Sequence, residues 1–279
     1  GFLYPLPLTL PMMSTFLTPR HSLFPFEVIS IIVENLSDDL ATLHSCMLTN
    51  RQWFNASVAV VYRAPYSPSN DYNTGPVEVY LMSLLEEDKE TLVAHGIHLP
   101  ASKLTVDYVS FTREIVDSVL YKRLEEWLCD EDMSEHTDLL FSRMMNMFVR
   151  KCRLRSLNTC MYQKKINVEG PSDWLSDVAR YQHDLNKLSV KLLCASPKEQ
   201  NDMNNKVASI IKKQKSLKEF SLFAFGPCVN PIMDALKQHS RTLEKVQLGG
   251  CTVLEYSVSE FLNTFKNIKK TIHSLLLWN

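Results

Sequence analysis

The chain has 279 residues, of which 45% are hydrophobic and only 7 are glycine, and its formal net charge is -1. No glycines stand at the spacings GxGxxG, GxxxxGK or GxSxG, so the sequence disfavours dinucleotide-dependent dehydrogenases, P-loop nucleotide hydrolases and α/β-hydrolases. The balanced charge argues against a general binder of nucleic acid or of anionic membranes, because both partners select proteins with a basic excess.

Residues 1–21 are apolar but are interrupted by Pro5, Pro7 and Pro11. A membrane-spanning helix needs about 20 mostly apolar residues without such breaks, and no basic stretch precedes this segment as in a signal peptide. We therefore expect an unstructured leader and no membrane partner. Met12 or Met13 is a candidate start of translation, which mass spectrometry of the native N-terminus would test.

Residues 22–65 predict three short helices. Pro25 suits the first turn of a helix, and aliphatic residues recur on one broad face from Val28 to Leu36. A second helix has its apolar positions at Leu40, Leu43, Cys46 and Met47. A third runs from Trp53 to Tyr62 and ends before a proline.

Residues 66–150 predict a helical linker. A loop rich in turn-forming residues opens the segment. Three apolar patterns with helical spacing follow, at 76–85, 115–128 and 139–148. Ile115 and Val116 belong to the second pattern, and we expect both on the apolar face of a helix.

Residues 151–279 repeat the pattern LxxLxL, where L is any aliphatic or aromatic residue and the first repeat ends on Thr159. The repeats start at Leu154, Leu185, Leu217, Leu243 and Ile272, and consecutive starts are 31, 32, 26 and 29 residues apart. Capped helical segments lie between them. A strand and a helix at this spacing predict a repeat solenoid, because one unit cannot bury its apolar face without a neighbour. The alternative is an ordinary α/β sheet with crossover helices.

The segment from Phe24 to Trp53 resembles the F-box. The resemblance rests on an apolar residue before proline, an acidic residue two positions later, spaced aliphatic residues, an Asp-Leu pair and a basic residue shortly before tryptophan. These positions are Phe24, Pro25, Glu27, Val28, Ile32, Leu36, Asp39, Leu40, Leu43, Arg51 and Trp53. The sequence departs from the family in having phenylalanine instead of leucine before the proline and a longer stretch between Asp39 and Trp53.

The rest of the chain resembles the degenerate leucine-rich regions of fungal F-box families. The resemblance implies a mixed fold, with an all-α F-box (22–65) and helical linker (66–150) followed by an α/β leucine-rich-repeat-like domain (151–279). We expect this repeat array to continue beyond Asn279.

The same resemblance implies a non-catalytic, substrate-recognition subunit of an SCF-type cullin–RING ubiquitin ligase. The F-box would dock on a Skp-type adaptor within the cullin complex, and the repeats would bind a protein target of unknown identity. A three-helix unit is near the size limit for independent folding, so its outer apolar side chains are better buried against a partner. The candidate adaptor-binding residues are Phe24, Pro25, Val28, Ile32, Leu36, Leu40 and Leu43. Roughly half of them are expected to lie inside the unit instead.

Two other binding functions fit the same residues. One is an F-box protein that does not promote ubiquitin transfer, and the other is a repeat scaffold whose N-terminal helices only cap the array. An enzyme is disfavoured because no spacing ties a nucleophile to a base and HExxH is absent. The basic runs at 150–155 and 212–218 could bind nucleic acid or phosphate. Cations at helix ends complement the helix dipole, so we expect solvated helix ends and no nucleic-acid partner.

The 7 cysteines are scattered singly with no CxxC pair, which is typical of reduced, buried thiols in a cytoplasmic or nuclear protein. His95 and His98 come closest to a metal-ligand cluster, but they lack cysteine or carboxylate partners at metal spacing. We expect both histidines in a loop or at a helix end, and neither a metal nor a cofactor.

Overall fold

A computed structural model describes residues 24–67, 75–101, 104–129, 133–162, 174–193, 197–226 and 230–251. The helices in these residues are α1 (Phe26–Asn35), α2 (Leu40–Met47), α3 (Arg51–Val61), α4 (Gly75–Met82), α5 (Glu86–Ala94), α6 (Asp117–Cys129), α7 (Thr137–Lys151), α8 (Trp174–Tyr181), α9 (Pro197–Lys213) and α10 (Asn230–Lys237). The strands are β1 (Glu114–Val116), β2 (Ser156–Tyr162), β3 (Lys187–Leu193), β4 (Glu219–Gly226) and β5 (Lys245–Cys251). Two short 3-10 helices span Tyr108–Phe111 and Ser134–His136. The fold is therefore mixed α/β.

All five strands are parallel, and their order in the sheet follows their order in the chain. Every connection is therefore a crossover to the adjacent strand. Among the described residues, the first crossover contains α6 and α7, and each later one contains one α-helix. Successive helices from α6 to α10 also contact one another, so the helices are arranged in the same order as the strands.

The LxxLxL residues form the buried side of the sheet. All the described positions of the pattern are buried: Leu154, Leu157, Thr159, Leu185, Leu188, Val190, Leu217, Phe220, Leu222, Leu243, Val246 and Leu248. The four strands predicted from these repeats are confirmed as β2 to β5. The fifth repeat, which starts at Ile272, lies outside the described residues.

Strand β1 corrects the predicted all-helical linker. Ile115 and Val116 lie in this strand, and α6 begins only at Asp117. Strand β1 pairs in parallel with β2, so tertiary hydrogen bonding prevails over the helical spacing of the apolar residues. The sheet therefore begins within residues 66–150. Helix α5 in the same segment was not predicted.

Buried polar side chains connect the ends of α8, α9 and α10 to the preceding strand-and-helix repeat. Gln182, after α8, donates from Nε2 to the carbonyl of Cys152 at 2.9 Å and accepts the N–H of Leu154 at 3.0 Å. Gln214, after α9, donates to the carbonyl of Gln182 at 2.8 Å. His239, after α10, has Nε2 at 2.8 Å from the carbonyl oxygen of Ile211. These three residues form a polar ladder along the helix ends.

Asp117 ties the start of α6 to β2. Its carboxylate accepts the N–H of Cys160 at 2.9 Å and the hydroxyl hydrogen of Thr159 at 2.5 Å. Burial raises the pKa of Asp117 to about 6, although the hydrogen bonds from Thr159 and Cys160 act in the opposite direction.

We expect Asp117→Asn to remove a pH dependence of stability between about pH 4 and about pH 6. Across this range the folded carboxyl group, with a pKa of about 6, holds a proton that the unfolded chain has lost. The free energy of unfolding therefore falls by about 2 to 3 kcal/mol as pH rises through this window, and this group adds no further change above it. Urea unfolding of both proteins at several pH values measures the difference. A difference that does not vary with pH would contradict the raised pKa.

Candidate functional site

Helices α1 to α3 fold around a small core of their own. Its buried residues are Ile29, Val33, Leu43 and Ala56. Asp39 caps α2 by accepting the N–H of Thr42 at 3.0 Å, and Asn50 caps α3 by accepting the N–H of Gln52 at 2.9 Å. Trp53 packs against the same core. The three helices predicted within residues 22–65 are present and share this core, and we call them the three-helix unit.

Arg63 connects the three-helix unit to the sheet. Its guanidinium donates two hydrogen bonds to the Glu34 carboxylate of α1. Its carbonyl accepts the N–H groups of Arg113, at 2.8 Å, and Glu114, at 3.0 Å, where β1 begins. The hydrogen bond from Arg63 lowers the pKa of Glu34. One residue thus contacts both α1 and the first strand.

Aromatic packing strengthens this junction. Five rings lie in contact with centroid separations of 4.6 to 6.2 Å, and they belong to Tyr62, Tyr66, Tyr80, Tyr108 and Phe148. Their planes are tilted or perpendicular, which are favourable geometries worth about 0.5–1.5 kcal/mol per pair beyond the burial itself. Tyr62 and Tyr66 follow α3, whereas the other three rings come from α4, from the first 3-10 helix and from α7. The cluster therefore holds the three-helix unit against the larger core.

Helical spacing turns one side of α1 away from the core of the unit. Ile29 and Val33 are completely buried, whereas Val28 is 38% exposed and Ile31 is 62% exposed. We define the α1 outer face as Val28, Ile31 and Ile32 of the helix, which are spaced i, i+3 and i+4, together with Phe24, which lies two residues before the helix begins. Leu48, after α2, is also 60% exposed. Large apolar side chains at such exposure mark candidate protein-binding surfaces when they cluster.

The structure places the seven candidate adaptor-binding residues in three different environments. Those that are exposed are Phe24, Pro25 and Val28. Those that are half-buried are Ile32, Leu36 and Leu40. Leu43 is completely buried in the core of the three-helix unit, so its prediction as an adaptor-binding residue is wrong. Sequence reasoning missed Ile31, although its position three residues after Val28 already placed both on one side of the helix.

The second candidate surface is the side of the sheet opposite the LxxLxL residues. In β3 the buried residues Leu188, Val190 and Leu192 alternate with side chains that reach solvent, which are Lys187, Ser189 and Lys191. Across the strands one row of this open face is uncharged and consists of Asn158, Ser189, Ser221 and Gln247. Parallel sheets are usually buried on both sides, so a polar open face in this one is available for binding.

The open face is shallow and polar. A depression of about 200 Å³ lies on it, and its lining includes the uncharged row together with Lys187, Glu219 and Lys245. Pockets for small molecules are usually about 300–1,000 Å³ and mostly apolar. The open face therefore suits contacts with a macromolecule better than enclosure of a small substrate.

Among the described residues, no group of three or more His, Cys, Asp and Glu side chains could hold a metal ion. His95 ends α5, with Nδ1 at 2.8 Å from the carbonyl oxygen of Thr91, and His98 lies in the following loop, as predicted. Burial raises the pKa of Cys152 to about 12, so this thiol is a poor nucleophile near neutral pH.

Burial of the cysteines was predicted but holds for one of the four whose exposure the structure describes. Cys152 is buried, and its thiol donates to the carbonyl of Val109 at 3.1 Å. Cys46 and Cys160 are half-buried, and Cys129 is exposed.

Comparison with known proteins gives no relative. No protein-family model, curated protein or solved structure matches the chain. In the part of the chain that the structure describes, none of the helices has the length and apolar character needed to span a membrane.

Proposed function

We propose that the chain is a non-catalytic substrate receptor of an SCF-type cullin–RING ubiquitin ligase. The three-helix unit would dock on a Skp-type adaptor. The part of the chain from β1 to β5, which we call the β/α region, would bind the protein target. The observation that carries the proposal is the concentration of exposed apolar side chains on the unit. Seven large hydrophobic residues are exposed in the described part of the chain, and the five that lie in this unit are Phe24, Phe26, Val28, Ile31 and Leu48.

The β/α region is proposed to be a leucine-rich-repeat-like solenoid. Its strand order, its matching helix order and the polar ladder support this interpretation, because each unit contacts the units before and after it in the chain. In an ordinary doubly wound sheet the strand order reverses at a switch point, and these five strands have no reversal. The open face of the sheet is then the target-binding surface.

The proposed mechanism is proximity. A receptor that holds a target near the ubiquitin-conjugating enzyme raises the effective concentration of the target's lysines, and the chemistry takes place on other subunits. This mechanism benefits from a fixed distance between the docking surface and the target-binding surface. The contacts of Arg63 and of the five aromatic rings support such a fixed connection.

Affinity purification of the full chain followed by mass spectrometry tests the proposal. We expect a Skp-type adaptor and a cullin in the eluate, and we expect target proteins to live longer when the chain is depleted. An adaptor without a cullin, together with unchanged target lifetimes, would favour the F-box protein that does not promote ubiquitin transfer. Absence of the adaptor would contradict the docking assignment itself.

A further inference from the structure

A basic surface forms where the strands of the sheet begin. Short turns lead from α7, α8, α9 and α10 into β2, β3, β4 and β5, so the helix ends and the strand starts meet at one edge. The two basic runs of the sequence, 150–155 and 212–218, lead into β2 and β4. These strands flank β3 at a separation of about 10 Å. The structure therefore joins two separate runs into one surface.

We call this surface the basic edge, and it comprises residues 150–155, 177–187, 212–219 and 234–245. It contains 13 lysine and arginine residues and 5 acidic residues, a formal charge of +8 in a chain whose total is -1. The helix dipole accounts for the cations in the last helical turns. It does not account for those in the turns and strand starts, which are Arg153, Arg155, Lys187, Lys215, Lys218, Arg241 and Lys245.

The acidic residues of the basic edge are already neutralised. Each pairs with a lysine or arginine of the same edge at 2.8 to 3.7 Å, and these carboxylates are Asp177, Asp184, Glu219, Asp234 and Glu244. Seven exposed cations of this edge make no ion pair within the described residues, and three of them, Lys151, Arg155 and Arg180, contact a backbone carbonyl or an aromatic ring instead. The other four make neither kind of contact, and they are Arg153, Lys212, Lys213 and Arg241. These four side chains are available to an anionic partner.

We propose that the basic edge binds an acidic polypeptide segment. Ion-paired carboxylates lie between the available cations, so the edge offers separate positive sites and not a continuous basic track. Separate sites suit the spaced Asp and Glu side chains of a polypeptide better than the regular charges of a phosphate backbone. Tyr181, an exposed aromatic residue of this edge, has the guanidinium groups of Arg150 and Arg180 near its ring, at 5.8 and 5.4 Å from the centroid. That ring is therefore not free to stack on a nucleic-acid base.

Binding of fluorescein-labelled poly-L-glutamate to the full chain, followed by fluorescence anisotropy, tests this proposal. The test variant Arg153→Glu/Lys212→Glu should bind about tenfold or more weakly than the wild type, since two exposed ion pairs become repulsive. The control Lys122→Glu/Lys198→Glu has the same net charge but alters exposed lysines in α6 and at the start of α9, away from the basic edge. It should change affinity by less than about twofold after screening by salt.

Three results would overturn the proposal: no binding to the wild type, equal weakening in both variants, or tighter binding to single-stranded RNA or phosphatidylserine vesicles than to poly-L-glutamate. If the first variant does not fold, Lys213→Glu/Arg241→Glu tests the same surface. The outcome does not depend on the adaptor, because none of these residues lies in the three-helix unit. Failure here therefore leaves the proposed docking function untouched, and failure of adaptor binding leaves this proposal untouched.

Discussion

Replacing Gln214 by alanine is expected to lower the free energy of unfolding by about 4 kcal/mol. The buried side chain donates from Nε2 to the carbonyls of Gln182, at 2.8 Å, and Ile210, at 2.9 Å, and Oε1 accepts the N–H of Leu185 at 2.9 Å. Alanine would leave three buried backbone groups without these partners, at a cost of about 1–3 kcal/mol each before relaxation. Urea unfolding measures the loss.

Gln200 provides a matched control for Gln214. Gln200 is also a buried glutamine and lies in α9, the helix that ends just before Gln214. Unlike Gln214, its Nε2 has no hydrogen-bond partner among the described residues. Gln200→Ala should therefore cost only about 1 kcal/mol. Equal losses for the two variants would mean that the polar ladder does not hold successive units together.

The polar ladder also explains how repeats of unequal length stack. Gln182 and Gln214 each lie three residues before the first leucine of their repeat, and His239 lies four residues before Leu243. The connection from helix end to strand is thus nearly constant, although the repeat length varies from 26 to 32 residues. Differences in length are confined to the segment between the start of each strand and the end of its helix. The strand starts keep their pairing, whereas β4 and β5, whose starts are separated by the shortest repeat, shift register between Phe223 and Gly226.

The strands of the β/α region could be predicted because burial of one sheet face leaves a strong sequence pattern. Each described LxxLxL repeat supplies three residues to the core, and these positions must be apolar or small whatever the length and sequence of the loops. Strand β1 could not be predicted in the same way. It has three residues, α6 follows it at once, and together their apolar residues imitate a single helix. Pairing with β2 decides its conformation, and that partner lies about 40 residues further along the chain.

The candidate surfaces were harder to predict than the strands because exposure depends on contacts between elements. Leu43 and Ile31 are both aliphatic residues of predicted helices, yet one is completely buried and the other is 62% exposed. The difference arises because the core of the three-helix unit encloses Leu43, and the composition of α2 does not reveal that. The basic edge likewise required the strand register, which brings two distant basic runs together.

Val28→Asp/Ile31→Asp is expected to weaken adaptor binding by at least about 100-fold. Both side chains are exposed on the α1 outer face, so the proposed interface would bury them, and each buried apolar side chain is worth about 1.5–3 kcal/mol. An aspartate at either position would also have to give up its hydration on binding. Titration of the purified full chain with a Skp-type adaptor by isothermal calorimetry measures the change.

Folding and docking can be separated in this experiment because the chain offers two contrasting controls. Val93→Asp changes a 59% exposed valine of α5 and should alter neither folding nor adaptor affinity. Leu43→Asp places a charge in the core of the three-helix unit and should abolish binding by unfolding that unit. The double variant on α1 should instead retain the wild-type unfolding midpoint, since exposed substitutions change stability by only about 0.5 kcal/mol. If the Val28→Asp/Ile31→Asp variant binds the adaptor as tightly as the wild type, α1 is not part of the docking surface. This conclusion holds whatever affinity the two control variants show.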